Sequence, residues 1–211
     1  MSIATTAIIA LTILGADEQV KWKLAAEDNG IKIYSRMKDG ENVAEMRAMG
    51  EMDAAPVEVW KAVRDYDGYT KNMPFTEYGK VISRSEGDKV IFFHSVVNTP
   101  LVDKRDYIIR LVDESDASKG VYRVSWRAAT PEDGIEIPKE KDGVVRVKLN
   151  NGFWQLEPRD GGKKTFATYY VHTDPGGSIP KMIANKGNTM AVPKVFEKIR
   201  DTVAAERAKA K

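Results

Sequence analysis

VYRVSWRA, residues 121–128, decides the fold. Tyr122, Val124, Trp126 and Ala128 fall on one side of an extended chain, and Arg123, Ser125 and Arg127 on the other. A strand divided this way buries one face and wets the other, as antiparallel sheets commonly do. VVRVKL, residues 144–149, repeats the division, with Val145, Val147 and Leu149 opposing Arg146 and Lys148. Working outward, further strand runs occur at 31–37, 43–52, 80–85, 90–97, 107–112, 153–156 and 166–173. Turn signals such as Asn29-Gly30, Asp39-Gly40, Lys119-Gly120 and Gly161-Gly162 separate several of them. The intervals are too short for crossover helices, which predicts antiparallel pairing.

Two segments have helical spacing. Pro56 opens a short helix over 57–65 carrying Val57, Trp60, Ala62 and Val63, followed by an irregular stretch from Tyr66 to Tyr78. The longer helix follows the breaker cluster Asp174-Pro175-Gly176-Gly177-Ser178 and runs from Pro180 to about Arg207, with a kink expected at Pro193. Met182, Ile183, Met190, Val192, Phe196, Ile199 and Val203 form its apolar stripe; Lys194, Lys198, Arg200 and Asp201 face the other way, and the charged end from Glu197 to Lys211 reads as solvated. The expected fold is α+β: a curved antiparallel β-sheet wrapped around a long C-terminal α-helix, with an internal hydrophobic cavity. Alternation alone favours a filled core. The reason to expect a cavity is the insertion Thr130–Gly143, far longer than a hairpin needs, in which Ile135 and Ile137 sit among acids as the apolar contacts of a lid.

Composition narrows the function. The chain has 211 residues, room for one domain, and 33 basic against 31 acidic side chains give a net charge of +2, too balanced for a broad nucleic-acid-binding field. With no cysteine, thiolate metal sites, Cys nucleophiles and disulfides are excluded. The only histidines are His94 and His172, too few for a three-histidine zinc site, and strand parity turns both outward, to be surface residues. No Gly-Lys-Ser/Thr follows the Asp-Pro-Gly-Gly run, so it reads as helix entry rather than a phosphate loop. No metal or cofactor is expected. Ile3–Leu14 is uncharged and apolar apart from threonines, the length of a secretory core, and Gly15-Ala16 supplies small residues before Asp17. Residues 1–16 are therefore read as an export signal and 17–211 as the domain, which places it in the periplasm or outside the cell; without that signal it is cytoplasmic.

Trp22, Gly30–Arg36 (GIKIYSR), Lys104–Tyr107 (KRDY), Val145–Val147 (VRV), Trp154–Pro158 (WQLEP) and Thr173–Pro180 (TDPGGSIP), taken in order, resemble the START (StAR-related lipid-transfer) domain. The resemblance spans Trp22 to the end of the last helix. It implies a helix-grip fold with a tunnel for one lipid, gated by the loop after the Tyr122 strand (Ile135, Ile137) and the start of the last helix (Met182). The sterol-binding members' buried acid falls on Ser95 and their paired arginine on Leu111, so that polar anchor is missing. Arg105 matches the arginine of the Arg-Asp-aromatic motif; it either pairs with an acid at the cavity rim or meets an anionic head group. Tyr169 and Trp154 match cavity positions. With strand parity added, the expected lining is Phe93 and Ser95, then Arg105, Tyr107 and Ile109, then Tyr122, Val124 and Trp126. Val147, Trp154, Tyr169, Ile183 and Met190 complete it. The expected function is non-enzymatic binding and transfer of a lipid or similar hydrophobic molecule by a monomer that touches membrane surfaces transiently. The alternatives are a helix-grip enzyme of the polyketide cyclase/aromatase type and a lipid-sensing interaction module.

Overall fold

The computed structural model describes residues 21–99, 102–177, 179 and 181–209, with backbone only at 86, 181–186 and 188. The expected export segment, and the side chains of Met182 and Ile183, lie outside the described residues. Among the described residues ten strands form one sheet: β1 (Lys23–Asp28), β2 (Ile31–Arg36), β3 (Glu45–Met52), β4 (Thr76–Arg84), β5 (Val90–Val97), β6 (Lys104–Asp113), β7 (Tyr122–Ala128), β8 (Val144–Arg146), β9 (Leu149–Arg159) and β10 (Lys164–Asp174). The order is β1-β2-β3-β10-β9-β7-β6-β5-β4, with β8 beside β6. The sheet is curved and unclosed. Helices α1 (Pro56–Val63) and α2 (Tyr69–Asn72) link β3 to β4, and α3 (Lys181–Lys209) ends the chain. At the β1–β2 turn Asn29 and Gly30 both have positive φ (47° and 74°), the geometry that joins two twisted strands tightly.

One pairing departs from the antiparallel expectation. β7 pairs only with the Ile109–Asp113 half of β6. The chain then makes its long excursion and returns running in the direction of β6, so that β8 pairs parallel with Lys104–Asp106. The run at 144–149 is accordingly broken after Arg146, and β9 starts afresh at Leu149.

Helix α3 packs on β1, β2 and β3 and against α1 and α2. Val192, Phe196, Ile199 and Val203 are buried in one cluster with Ile31, Ile33, Met46, Ala48, Trp154 and Leu156. Each such side chain contributes about 1.5–3 kcal/mol by leaving water. Met190 is a correction. It is 59% exposed because it lies about 160° round the helix from Val192, at 100° per residue. The polar face is solvated as expected, with Glu197, Lys198, Asp201 and Arg207 exposed, and two of its arginines also reach back to the rest of the domain. Arg200 donates to the carbonyls of Asn29 (3.0 Å) and Glu51 (2.9 Å), and Arg207 binds Glu58 of α1 with two 2.7 Å bonds. These cations tie the helix down at both the β1–β2 turn and α1.

The outer face corrects the reading of the histidines. Both point outward, yet His94 is 8% and His172 7% exposed. Tyr78 lies edge-on over His94 with ring centres 5.1 Å apart, and His94 Nε2 sits 2.7 Å from Asp106. Arg146 holds the other oxygen of Asp106 at 2.6 and 2.9 Å and donates to the Pro138 carbonyl at 2.8 Å. Burial pushes the Asp106 carboxyl up, and His94 and Arg146 outweigh it, leaving it below the usual range. Parity gives a side chain's direction; it does not tell whether another segment covers it.

Candidate functional site

Strand pairing assembles the inner wall. On β5 and β6, Phe93 faces Ile109, Ser95 faces Tyr107, and Val97 faces Arg105. Leu111 faces Trp126 of β7, Val124 faces Trp154 of β9, and Trp154 faces Tyr169 of β10. The expected lining positions on these strands therefore share one face. The Trp126 ring packs on Tyr169 at 5.7 Å, Trp154 on the same tyrosine at 4.8 Å, and Trp154 meets Phe196 of α3 at 5.0 Å. Gly152 is required here: it lies opposite Trp126, and a Cβ at this position would run into the indole ring and the Tyr170 carbonyl. The indole N–H donates to Asn150 Oδ1 at 3.3 Å.

These positions fall into two sets. Phe93, Ser95, Ile109, Val124, Val147 and Trp154 are buried. Tyr107, Tyr122, Trp126 and Tyr169 keep partial accessibility. So does Tyr69 of α2, which sequence reasoning missed because it left the Tyr66–Tyr78 stretch irregular. Tyr66 and Tyr69 have one-turn spacing, and both rings pack on Phe93, at 5.5 and 4.8 Å. Tyr69 lies over Gly79, which pairs with Ser95, which pairs with Tyr107. Burial pushes the Tyr69 and Tyr107 hydroxyls up to about 12 and Tyr169 higher still, and nearby hydroxyls of this trio add to the shifts of Tyr69 and Tyr169. All three are neutral at physiological pH, able to donate a hydrogen bond and unsuited to act as bases.

Arg105 is on the inner face as expected, and among the described residues it meets backbone carbonyls in place of the acid expected at the cavity rim. It is 3% exposed and donates to the backbone carbonyls of Pro175 (3.2 Å), Gly176 (3.2 Å) and Asp103. It thus pins the connection from β10 to α3. The insertion 130–143 is also more firmly held than a loosely anchored lid. Arg127 grips Asp133 through both carboxylate oxygens (2.5 and 2.8 Å), Arg110 approaches to 3.7 Å, and Arg146 holds Pro138. Ile135 and Ile137 between these ties are half-buried. Their expected contact with Met182 involves a side chain outside the described residues.

This architecture has known counterparts. Residues 3–209 match the START domain. The chain belongs to the START family. It is 31% identical over 165 residues to an uncharacterized protein of Pseudomonas aeruginosa, covering 78% of this chain and 77% of that one. Among START structures, a STAR-related lipid transfer protein fragment from Xanthomonas axonopodis superposes with a TM-score of 0.74 at 27% identity, over 87% of this chain and 98% of that one. Human StAR-related lipid transfer protein 5 gives 0.78 at 17% identity, with 90% of each chain covered. The Zhui aromatase/cyclase from Streptomyces gives 0.51 at 16%, over 77% and 92%, so the broader fold also carries an enzyme.

Proposed function

We propose that the chain holds one lipid-sized hydrophobic molecule between the inner wall and α3 and transfers it between membranes unchanged. The observation that carries this reading is the partial accessibility of Tyr69, Tyr107, Trp126 and Tyr169 on the inside of the sheet. Four large aromatic residues left partly accessible side by side on one inner wall fit a hollow that an apolar ligand would occupy. Burying a chain against them supplies affinity at about 25 cal/mol per Å².

The enzyme reading finds little support on this wall. Among its described residues the charged ones are Arg105, which holds the Pro175 and Gly176 carbonyls, and Asp113, paired with Arg64 at 3.1 Å. The tyrosines are held in the wrong protonation state for a base. The test is transfer of a labelled lipid from donor to acceptor vesicles. Accelerated transfer with the label's mass unchanged is expected. A mass change in the lipid on single turnover would replace the carrier with an enzyme.

The apolar run Ile3–Leu14 and the small pair Gly15-Ala16 support export, with the monomeric carrier acting on membranes outside the cytoplasm. Protein recovered from its own cells is expected to start near Asp17, by mass spectrometry of the N-terminal peptide in an extracytoplasmic fraction. An intact Met1 or Ser2 in the cytosol would overturn export.

A further inference from the structure

Arg105 carries more than loop pinning requires. A guanidinium has five N–H donors, and among the described residues three bonds to backbone carbonyls leave two of them without a partner. Asp106 next to it points to the other face and is taken by His94 and Arg146, while Asp174 accepts the Gly176 N–H at 2.9 Å. Among the described residues no carboxylate pairs with Arg105. A cation withdrawn from water and met only by carbonyl oxygens is under-compensated, and an anion is the missing partner. Val97 and Val145 flank it on the neighbouring strands, and Tyr107 follows it on the inner face. Burial raises the Tyr107 hydroxyl and the Arg105 charge opposes that, so the cation is felt on the accessible part of the wall.

What Arg105 holds is the entrance to α3. Gly176 and Gly177 have φ of 64° and 70°, and a Cβ on Gly177 would come 3.4 Å from the guanidinium, so glycine lets the backbone lie against it. Bonds to a carboxylate or phosphate are about twice as strong as bonds to neutral carbonyls and match the guanidinium fork. We infer that Arg105 is both anion receptor and latch: the carboxylate or phosphate of a long-chain amphiphile replaces the Pro175 and Gly176 carbonyls and loosens the connection into α3. This rests on the carrier reading above. The ligand class is an anionic amphiphile, with the Tyr107 hydroxyl as a second donor.

Two matched pairs of probes test it, oleate against oleyl alcohol and dioleoyl phosphatidic acid against dioleoylglycerol. The expected result is a preference of at least ~10-fold for the anion in one pair, the size of one charged hydrogen bond. The pair that shows it tells a carboxylate from a phosphate head group. Arg105→Gln is expected to bring that ratio towards one, whereas a merely structural arginine would lower both members in step. In the unsubstituted protein, amide exchange at Asp174, Gly176 and Gly177 is expected to quicken with the anion and not with its neutral partner, a readout independent of the variant's folding. Binding of the neutral probes with no anion preference, an unchanged ratio in Arg105→Gln, or exchange that ignores the anion would each overturn the inference and leave the carrier standing. Failure of all four probes to bind would overturn the carrier reading, and the inference with it.

Discussion

Trp126→Asp is expected to abolish retention of an apolar ligand, a loss on the order of 100-fold or more by the cost of removing the indole contact and setting a carboxylate against an apolar chain. Trp126 is partly accessible on the inner wall, packed on Tyr169 and seated over Gly152. Arg123→Ala, three residues away, is expected to change binding less than about threefold, since its side chain lies on the face of β7 turned away from the inner wall. Arg123 points outward, donating to Glu114 and Gln155 at 2.7 Å each and lying 4.0 Å over the Phe153 ring. Titration of a fluorescent fatty acid, with circular dichroism to verify folding, checks the pair. Equal binding by folded forms of both variants would mean that the ligand does not sit on this face.

The largest stability effect is expected at Glu45. It is 1% exposed on the outer face, held by Arg36 at 2.5 Å, Lys38 at 2.8 Å and the Tyr170 hydroxyl at 2.6 Å. Burial pushes its carboxyl up, and the hydrogen bonds from Arg36, Lys38 and Tyr170 outweigh this and hold it at about 2. Glu45→Ala is expected to cost about 2–3 kcal/mol at neutral pH, less than a fully buried pair because both cations can reach water. A depressed carboxyl stabilises the fold fully above its unfolded value near 4.5 and loses that contribution as pH falls towards about 2. Urea unfolding of both proteins should therefore show a gap at pH 7 that narrows by pH 3. A gap independent of pH would assign the effect to packing alone.

Strand parity made the inner wall legible in the sequence, because period-two alternation is a direct consequence of the pleat. Phe93, Tyr107, Val124, Trp126, Trp154 and Tyr169 share one face for that reason. Parity could not separate Phe93, which is closed off, from Tyr107, which is not, since that depends on what lies across the interior. Tyr69 was lost because a single helical turn is too short to set up a period. His94 was misjudged because its cover, Tyr78 together with the Asp106–Arg146 pair, comes from three other strands. Met190 was counted into the helix stripe on its chemistry, although its angle sets it opposite Val192. The parallel β6–β8 pair depends on where a fourteen-residue excursion returns, which local pattern does not encode.

Native mass spectrometry of the protein purified without detergent from the cells that make it, followed by solvent extraction, tests the central claim most directly. The account predicts one lipid-like molecule per chain, released unmodified and lost from Trp126→Asp. A folded protein that carries nothing and takes up no lipid from vesicles of the same cells would contradict it.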